Sequence, residues 1–409
     1  MNIVVIGGGA AGFFAAIVCA KANPSAQVII LERNANVLGK VRISGGGRCN
    51  VTTSCFDPAE LVTHYPRGSA ALRGPLTRFG PRDTVAWFES RGVQLKTERD
   101  GRIFPTTDDS ATIIDCLIHA ARDAGVTIRT KVETKNILRR ASGFSVELRD
   151  GESLSCDKVL LATGSSAAGW RWAQALGHTI VPPVPSLFTF EIRDPKLDGL
   201  AGIAVERVCA VLVGTDLRQT GPLLITHWGL SGPAILKLSA WGARVLHECA
   251  YRAELEINWL PDMREDALVE RLANFKHERG GQLVSAHSPF PELPQRLWQS
   301  LCRASGIHDD QRWAKLSKAN LLALTQELHC GRYRIQGKGQ FKEEFVTCGG
   351  VHLDEVNFRT MESRVCPGLY LAGEILDIDG VTGGFNFQSA WTTGWLAGKA
   401  MAYAAPKDG

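Results

Sequence analysis

The opening stretch NIVVIGGGAAGFFAAIVC constrains this chain more than any other. Residues 3–6 form an uninterrupted apolar run, which suits a parallel strand covered on both faces. Gly7, Gly9 and Gly12 follow with the spacing Gly-x-Gly-x-x-Gly. The first glycine permits a tight turn, the second lets backbone approach a pyrophosphate, and the third lets helix and strand pack closely. A helix from about Ala10, with Ala11 in its first turn, aims its free N–H groups at the phosphates. A second apolar strand at 28–31 ends in Glu32, twenty residues beyond Gly12. An acid at that distance accepts hydrogen bonds from an adenosine ribose and repels a 2′-phosphate. The pattern therefore implies FAD or NAD rather than NADP.

A second glycine cluster, SGGGRCN at 44–50, bears on that choice. Gly45, Gly46 and Gly47 tolerate repeated positive φ and give a ligand direct access to main-chain N–H groups. A nucleotide site continued by such a loop suits a longer ligand that runs from the pyrophosphate to another ring system. Arg48 and Lys40 are placed to meet a phosphate or a flavin carbonyl. Cys49 has no partner at motif spacing, so packing is its expected role.

Bulk properties exclude several classes. The formal charge of +4 over 409 residues, without a long Lys/Arg block, argues against a nucleic-acid partner. No apolar run reaches the length of a membrane span. Eleven cysteines lie scattered with no C-x-x-C pair and no zinc-like spacing. That usage fits reduced thiols in a cytoplasm and gives no metal site.

Further along, the periodicity predicts helices near 82–91 and 111–124, a strand at 126–132 and a hairpin around Asp150-Gly151. A buried strand at 158–162 runs through Ala162 into Thr163 and Gly164. Three prolines within 182–190 mark a boundary, since they continue neither a helix nor a central strand. The text beyond is β-rich to about 258. Asp262 and Glu265 predict a capping box that opens a helix over 262–275, and helices follow at 295–304 and 310–328. The expected organisation is a dinucleotide domain at 1–185 and 345–409. Between them stand a β-rich part, 186–261 and 329–344, and a small helical part, 262–328. Near the C-terminus a strand at 369–372 leads to Gly373 and Glu374. A loop with Asp377 then reaches Gly383 and Gly384, and a helix starts near Asn386.

Together GGGAAG, LERN, GKVRISGGGRCNVT, LLATG, THWGLSGPAIL, TCGGV, TMESR and GLYLAGEILDIDGVTGGFNFQSAW resemble the bacterial aminoacetone oxidase-like flavoproteins. That family includes the reductase of the bile-acid 7-dehydroxylation pathway. The resemblance covers nearly the whole chain and implies an α/β fold: a Rossmann-type, glutathione-reductase-like FAD domain interrupted by the β-rich and helical parts. It carries FAD contact onto Gly9, Glu32, Arg33, Gly39, Lys40, Ser44, Gly47, Asn50, Val132, Ala162, Gly373, Glu374 and Asp377. It does the same for the turn of Gly383, Gly384, Phe385, Asn386 and Phe387, whose helix points at the flavin's pyrimidine ring. Asn386 is expected to add a donor or cap there. Two departures touch the pocket's edge: GKVRI replaces a longer basic and apolar run, and Ser165-Ser166 stand where two glycines are usual.

The expected protein is a cytoplasmic FAD-dependent oxidoreductase with non-covalent cofactor. Hydride would pass between flavin and a small or steroid-like substrate, with NADH or NADPH as transient donor. The insertion would govern substrate choice. No second Gly-x-Gly-x-x-Gly in strand–turn–helix context provides a nicotinamide domain. The alternatives are an oxidase of small amines or aminoketones using oxygen, and a flavin-dependent binding protein without turnover. No acid–base dyad is evident, and His227, Tyr333 and Arg334 are the candidate proton donors or substrate anchors.

Overall fold

The N-terminal apolar run is strand β1, Asn2–Ile6, buried at every position but the first. After the glycine turn comes helix α1, Ala10–Ala22, whose residues 11–20 are all buried. Strand β2, Gln27–Glu32, returns parallel to β1 with Ile3 opposite Val28 and Ile6 opposite Leu31. The computed structural model describes residues 1–339 and 346–403.

The chain divides into two compact units, Met1–Val184 with Val346–Gly409, and Pro185–Phe345. The first unit is organised on a seven-stranded sheet. Its parallel core runs Leu369–Leu371, Lys158–Leu161, β1, β2, Thr127–Thr130. The short strands Val356–Asn357 and Glu362–Ser363 extend it antiparallel at one edge. Strands so distant in sequence meet because each is short, apolar and covered by helices, which a parallel sheet requires. The C-terminal helix Phe385–Met401 packs on α1. At Gly394 and Gly398 an added Cβ would lie 2.7 Å from Ala11 O and 2.5 Å from Ala15 O, so two glycines set that close crossing.

The 182–190 prolines lie in no helix and in no central strand. Ile180–Ser186 is a strand, paired with Val346–Val351 in a two-stranded sheet. Two-stranded pairing leaves every strand at an edge, where a missing N–H costs no ladder bond. The expected boundary at Glu344 lies outside the described residues.

The second unit contains an antiparallel seven-stranded sheet ordered Gly331–Ile335, Ala253–Asn258, Ala204–Leu212, Arg218–Thr226, Gly229–Ser231, Phe190–Glu191, Gly337–Lys338. Helices Glu265–Glu278, Gln295–Ala304 and Lys318–Cys330 accompany it. Sheet residues such as Val208, Leu255 and Ile257 and helix residues such as Leu272, Trp298 and Leu324 belong to one apolar cluster. Two helix starts differ from the sequence reading. The capping box does not form: Asp262 instead accepts from Arg207 Nε at 2.9 Å, and the helix begins at Glu265. The last helix begins at Lys318, where Ser317 Oγ accepts from Asn320 N at 3.0 Å. Trp313–Lys315 is a separate 3₁₀ turn.

Candidate functional site

The glycine turn after β1 shows two kinds of glycine. Gly7 has φ 113°, and a Cβ there would lie 2.3 Å from Ala162 O; at Gly12 it would lie 2.0 Å from Gly7 O. Both positions are closed by neighbouring backbone, so only glycine lets the turn nest against the end of the Lys158–Leu161 strand. Gly9 is the opposite case. It precedes α1 with no side-chain cap, and nothing stands within 4 Å of an added Cβ. Ala10 and Ala11 open α1 behind it, so the helix presents uncapped N–H groups and about half a positive charge to open space.

Glu32 closes one side of this opening. Its Oε2 accepts from Gly8 N at 2.9 Å, and its Oε1 accepts from Asn34 N at 2.9 Å and Asn34 Nδ2 at 2.8 Å. Val132 N donates to the Glu32 carbonyl at 3.0 Å, which brings a residue from far along the chain to the same corner. Arg33 is exposed beside it.

Leu38 N donates to Gly8 O at 2.8 Å and anchors the next segment to the first turn. Gly39–Ile43 is a short helix that carries Lys40, and Ser44–Gly47 a 3₁₀ turn. Gly45, Gly46 and Gly47 have φ of 58°, 70° and 85°, and Cys49 follows with 62°. Open space surrounds Gly46 and Gly47, whereas a Cβ at Gly45 would sit 3.0 Å from the Phe104 ring. The loop is held from behind by Cys49 N on Ser44 O at 3.0 Å and Ser110 N on Gly47 O at 2.8 Å. Arg48 turns away from the role suggested by sequence. Its guanidinium pairs with Glu98 at 2.7 Å and Asp108 at 3.4 Å, 4.0 Å above the Phe104 ring. Two carboxylates already meet its charge, so it braces the loop. Cys49 is fully buried, and burial pushes its thiol up to about 12, as packing would have it.

The C-terminal segment completes the constellation. Ala162 N donates to Ile6 O at 2.9 Å and Ala372 N to Leu161 O at 3.1 Å, aligning three strand ends. Gly373, φ 76°, abuts Ala11, where its Cβ would come within 2.9 Å. Lys40 Nζ bonds Glu374 at 2.5 Å and Ser165 Oγ at 3.2 Å, and Glu374 Oε1 accepts from Thr347 N at 3.1 Å. This network joins the glycine-loop segment, the strand end running through Thr163 and Gly164, and the Gly373-Glu374 corner. Asp377 N donates to Val351 O at 3.1 Å.

Gly383 and Gly384 have φ of 133° and 92°, and the helix after them has no side-chain cap. A Cβ at Gly384 would lie 2.4 Å from Thr52 O. Asn50, oriented so that both ends of its amide are satisfied, accepts from Gly384 N at 2.8 Å and donates to Thr52 O at 2.9 Å. Asn386 does not cap the helix. It exchanges two 2.8 Å bonds with the Gly380 backbone and so clamps the turn. Phe385 is buried, its carbonyl accepting from Tyr65 OH at 2.7 Å, and Phe387 stacks on Trp391.

Sequence reasoning missed the supports beneath this turn. Arg67 forms a salt bridge with Asp379, which is fully buried. Gln388 is also fully buried. Its Oε1 accepts from Thr52 at 2.6 Å and Thr84 at 2.9 Å, and its Nε2 donates to Thr392 at 3.0 Å. Except for Thr392, these partners lie hundreds of residues apart, so no motif spacing announces them.

The candidate proton donors all lie in the second unit. His227 and Arg334 are exposed, with Trp228 beside His227 in the turn between two strands. Tyr333 is buried in the apolar cluster against Trp259, with Lys196 Nζ 4.3 Å above its ring. Burial raises its phenol far above the ordinary range. Its position is that of a core residue.

An uncapped helix N-terminus beside an open glycine, a carboxylate at the end of β2, and a second open glycine loop form a cradle that fits an FAD-sized dinucleotide. Fold and site define the class: an FAD-dependent oxidoreductase built on a parallel Rossmann sheet. The chain belongs to the HI0933-like family, whose HI0933-like protein Rossmann domain matches residues 1–400. A 3-dehydro-bile acid delta(4,6)-reductase of Clostridium scindens is 32% identical, over 98% of this chain and 99% of that protein. A ribosomal RNA dihydrouridine synthase of Escherichia coli is 30% identical, over 98% of each. The solved 3-ketosteroid-delta4-(5alpha)-dehydrogenase of Rhodococcus jostii RHA1, in complex with 4-androstene-3,17-dione, shares the fold. It has a TM-score of 0.50 and 17% identity, over 98% of this chain and 96% of that one. Among the described residues no helix is long and apolar enough to cross a membrane.

Proposed function

We propose that this protein reduces a carbon–carbon double bond conjugated to a carbonyl, in a small or steroid-like substrate, with NADH or NADPH as electron donor in the cytoplasm. The observation that carries this is the end-to-end similarity to a reductase named for a 3-dehydro-Δ4,6 bile acid. In such a substrate the carbonyl polarises the double bond and makes its far carbon a hydride acceptor.

FAD, when bound, supplies the hydride chemistry. The chain's own residues hold it. Gly9, Ala10 and Ala11 offer N–H groups to the pyrophosphate, and Glu32, with Val132 beside it, accepts from the adenosine ribose. Gly46 and Gly47 let backbone lie against the cofactor beyond the pyrophosphate. Gly383–Phe387 directs an uncapped helix start at the far ring, where N–H groups stabilise negative charge. Lys40 and Glu374 tie two of these segments together and fix their spacing. His227 and Arg334 remain candidates for substrate contact.

A second reading, reduction of a uracil base in ribosomal RNA, is favoured by the 30%-identical dihydrouridine synthase. The chemistry is the same, because uracil also carries a double bond conjugated to a carbonyl. The small charge of +4 favours the small-molecule reading. Anaerobic incubation with NADH or NADPH and either a 3-oxo-4,6-diene steroid or deproteinised ribosomal RNA separates the two. The proposal expects gain of two hydrogens by the steroid. Gain by RNA uridine alone selects the second reading, and rapid NAD(P)H-independent peroxide formation from small amines in a separate incubation under air overturns both.

A further inference from the structure

One cluster of side chains takes no part in the dinucleotide cradle. Asp57 caps the helix Pro58–Leu61, its Oδ1 accepting from Ala59 N at 2.9 Å, and the 3₁₀ turn Val62–His64 continues directly from it. Glu60 and His64 are therefore four residues apart on one face of a continuous helical segment. The cap reverses the chain just before the helix and brings Cys55 over the same face. The Cys55 thiol, a Glu60 carboxylate oxygen and a His64 ring nitrogen all lie within 4.8 Å of one another.

The histidine is held from outside the segment. Its ring stacks on Phe385 at 4.3 Å and 18°, and its carbonyl accepts from Val381 N at 2.9 Å.

We propose that Cys55, Glu60 and His64 bind a divalent transition metal of the zinc type, with water in the fourth position. The donor set is sulfur, nitrogen and oxygen, which suits zinc and disfavours magnesium or calcium. Ligand–ligand distances around tetrahedral zinc are about 3.4–3.7 Å, so the cluster needs to contract by roughly 1 Å. Glu60 is exposed and Cys55 half-buried, which leaves them room to move and gives the ion a way in. On binding, the thiol proton leaves to solvent, and thiolate plus carboxylate neutralise the dication. The C-x₄-E-x₃-H spacing matches no common zinc motif, and the Asp57 cap is what assembles the site. Because His64 contacts Phe385, the metal would also brace the 381–387 turn.

Cobalt(II) titration of metal-stripped, flavin-loaded protein tests this directly. The expected result is one cobalt per chain, with a thiolate charge-transfer band and the red d–d bands of a four-coordinate ion, beyond flavin absorption. Cys55→Ser should abolish the charge-transfer band and weaken zinc by no less than the roughly tenfold lost with an outer-shell partner. Cys249→Ser, at an exposed thiol elsewhere, should leave both unchanged. Glu60→Gln, at an exposed position, provides a second variant with the same expected weakening. Zinc should raise the melting temperature of the parent protein and not that of Cys55→Ser. Absence of four-coordinate cobalt bands, or an identical thiolate band in Cys55→Ser, overturns the proposal.

Discussion

Replacing Glu32 by arginine tests the adenosine end of the cradle. In the structure its two carboxylate oxygens accept three hydrogen bonds, from Gly8 N, Asn34 N and Asn34 Nδ2, which aim it at the glycine turn. Oε1 already accepts two of these, whereas Oε2 accepts one and keeps a lone pair available to a ribose hydroxyl. A hydrogen bond to a charged group contributes about 1.5–3 kcal/mol. Loss of one such bond converts to roughly a tenfold to 150-fold rise in the Kd for FAD, at about 1.4 kcal/mol per decade. Titration of apoprotein by flavin fluorescence quenching at fixed ionic strength measures this. FMN has no adenosine, so its weaker binding should be the same in parent and variant, which separates ribose contact from damage to the fold. Should Glu32→Arg purify fully yellow with an unchanged Kd for FAD, the ribose assignment is wrong.

Asp379→Asn should destabilise the first unit by about 3–5 kcal/mol, because the buried carboxylate that pairs with Arg67 loses its charge; urea midpoints check this. Gly384→Val should lower both stability and FAD occupancy, since its Cβ would strike Thr52 at a φ of 92°; a protein with normal melting and occupancy would contradict it. His178 gives a pH dependence. Burial holds it below the usual histidine range although Glu355 pulls the other way, while Glu355 is lowered, against burial, by hydrogen bonds from Thr179 and His178. The unfolded chain thus takes up the histidine proton first, and stability should fall as pH drops through about 6.5. The Glu355 contribution follows, being present above about pH 4.3 and lost as pH falls through its lower folded value. His178→Gln should flatten the first step in urea midpoints measured between about pH 7 and pH 5.5.

Local chemistry explains why parts of this molecule could be read from sequence. β1, the glycine turn, α1 and β2 were legible because buried parallel strands are continuous apolar runs and the turn admits only glycine at two positions. The 204–212 and 253–258 strands differ: they lie in the antiparallel sheet, and in AELEIN the buried Leu255 and Ile257 alternate with polar residues. The capping box failed because the helix begins at Glu265, past Asp262, whose carboxylate meets Arg207 instead. The strand Thr134–Arg139 went unread because its text, TKNILR, is largely polar. Arg48 was legible as a cation in a ligand loop, but Glu98 and Asp108, brought in by a different sheet, decide where it points. Asn386 looked like a helix cap and serves instead to clamp Gly380, a choice set by the geometry of the turn. The Cys55–Glu60–His64 cluster was invisible for a related reason, since spacing along the helical segment pairs only Glu60 with His64, and Cys55 joins them from before the helix.

The cradle made from the two ends of the chain is expected to hold one FAD without a covalent bond. Acid or heat release from purified protein, followed by chromatography and absorbance of the supernatant, measures this most directly. The expected result is intact FAD at one equivalent per chain, with colourless precipitated polypeptide. Recovery of FMN or NAD, or flavin that stays on the precipitate, would contradict it.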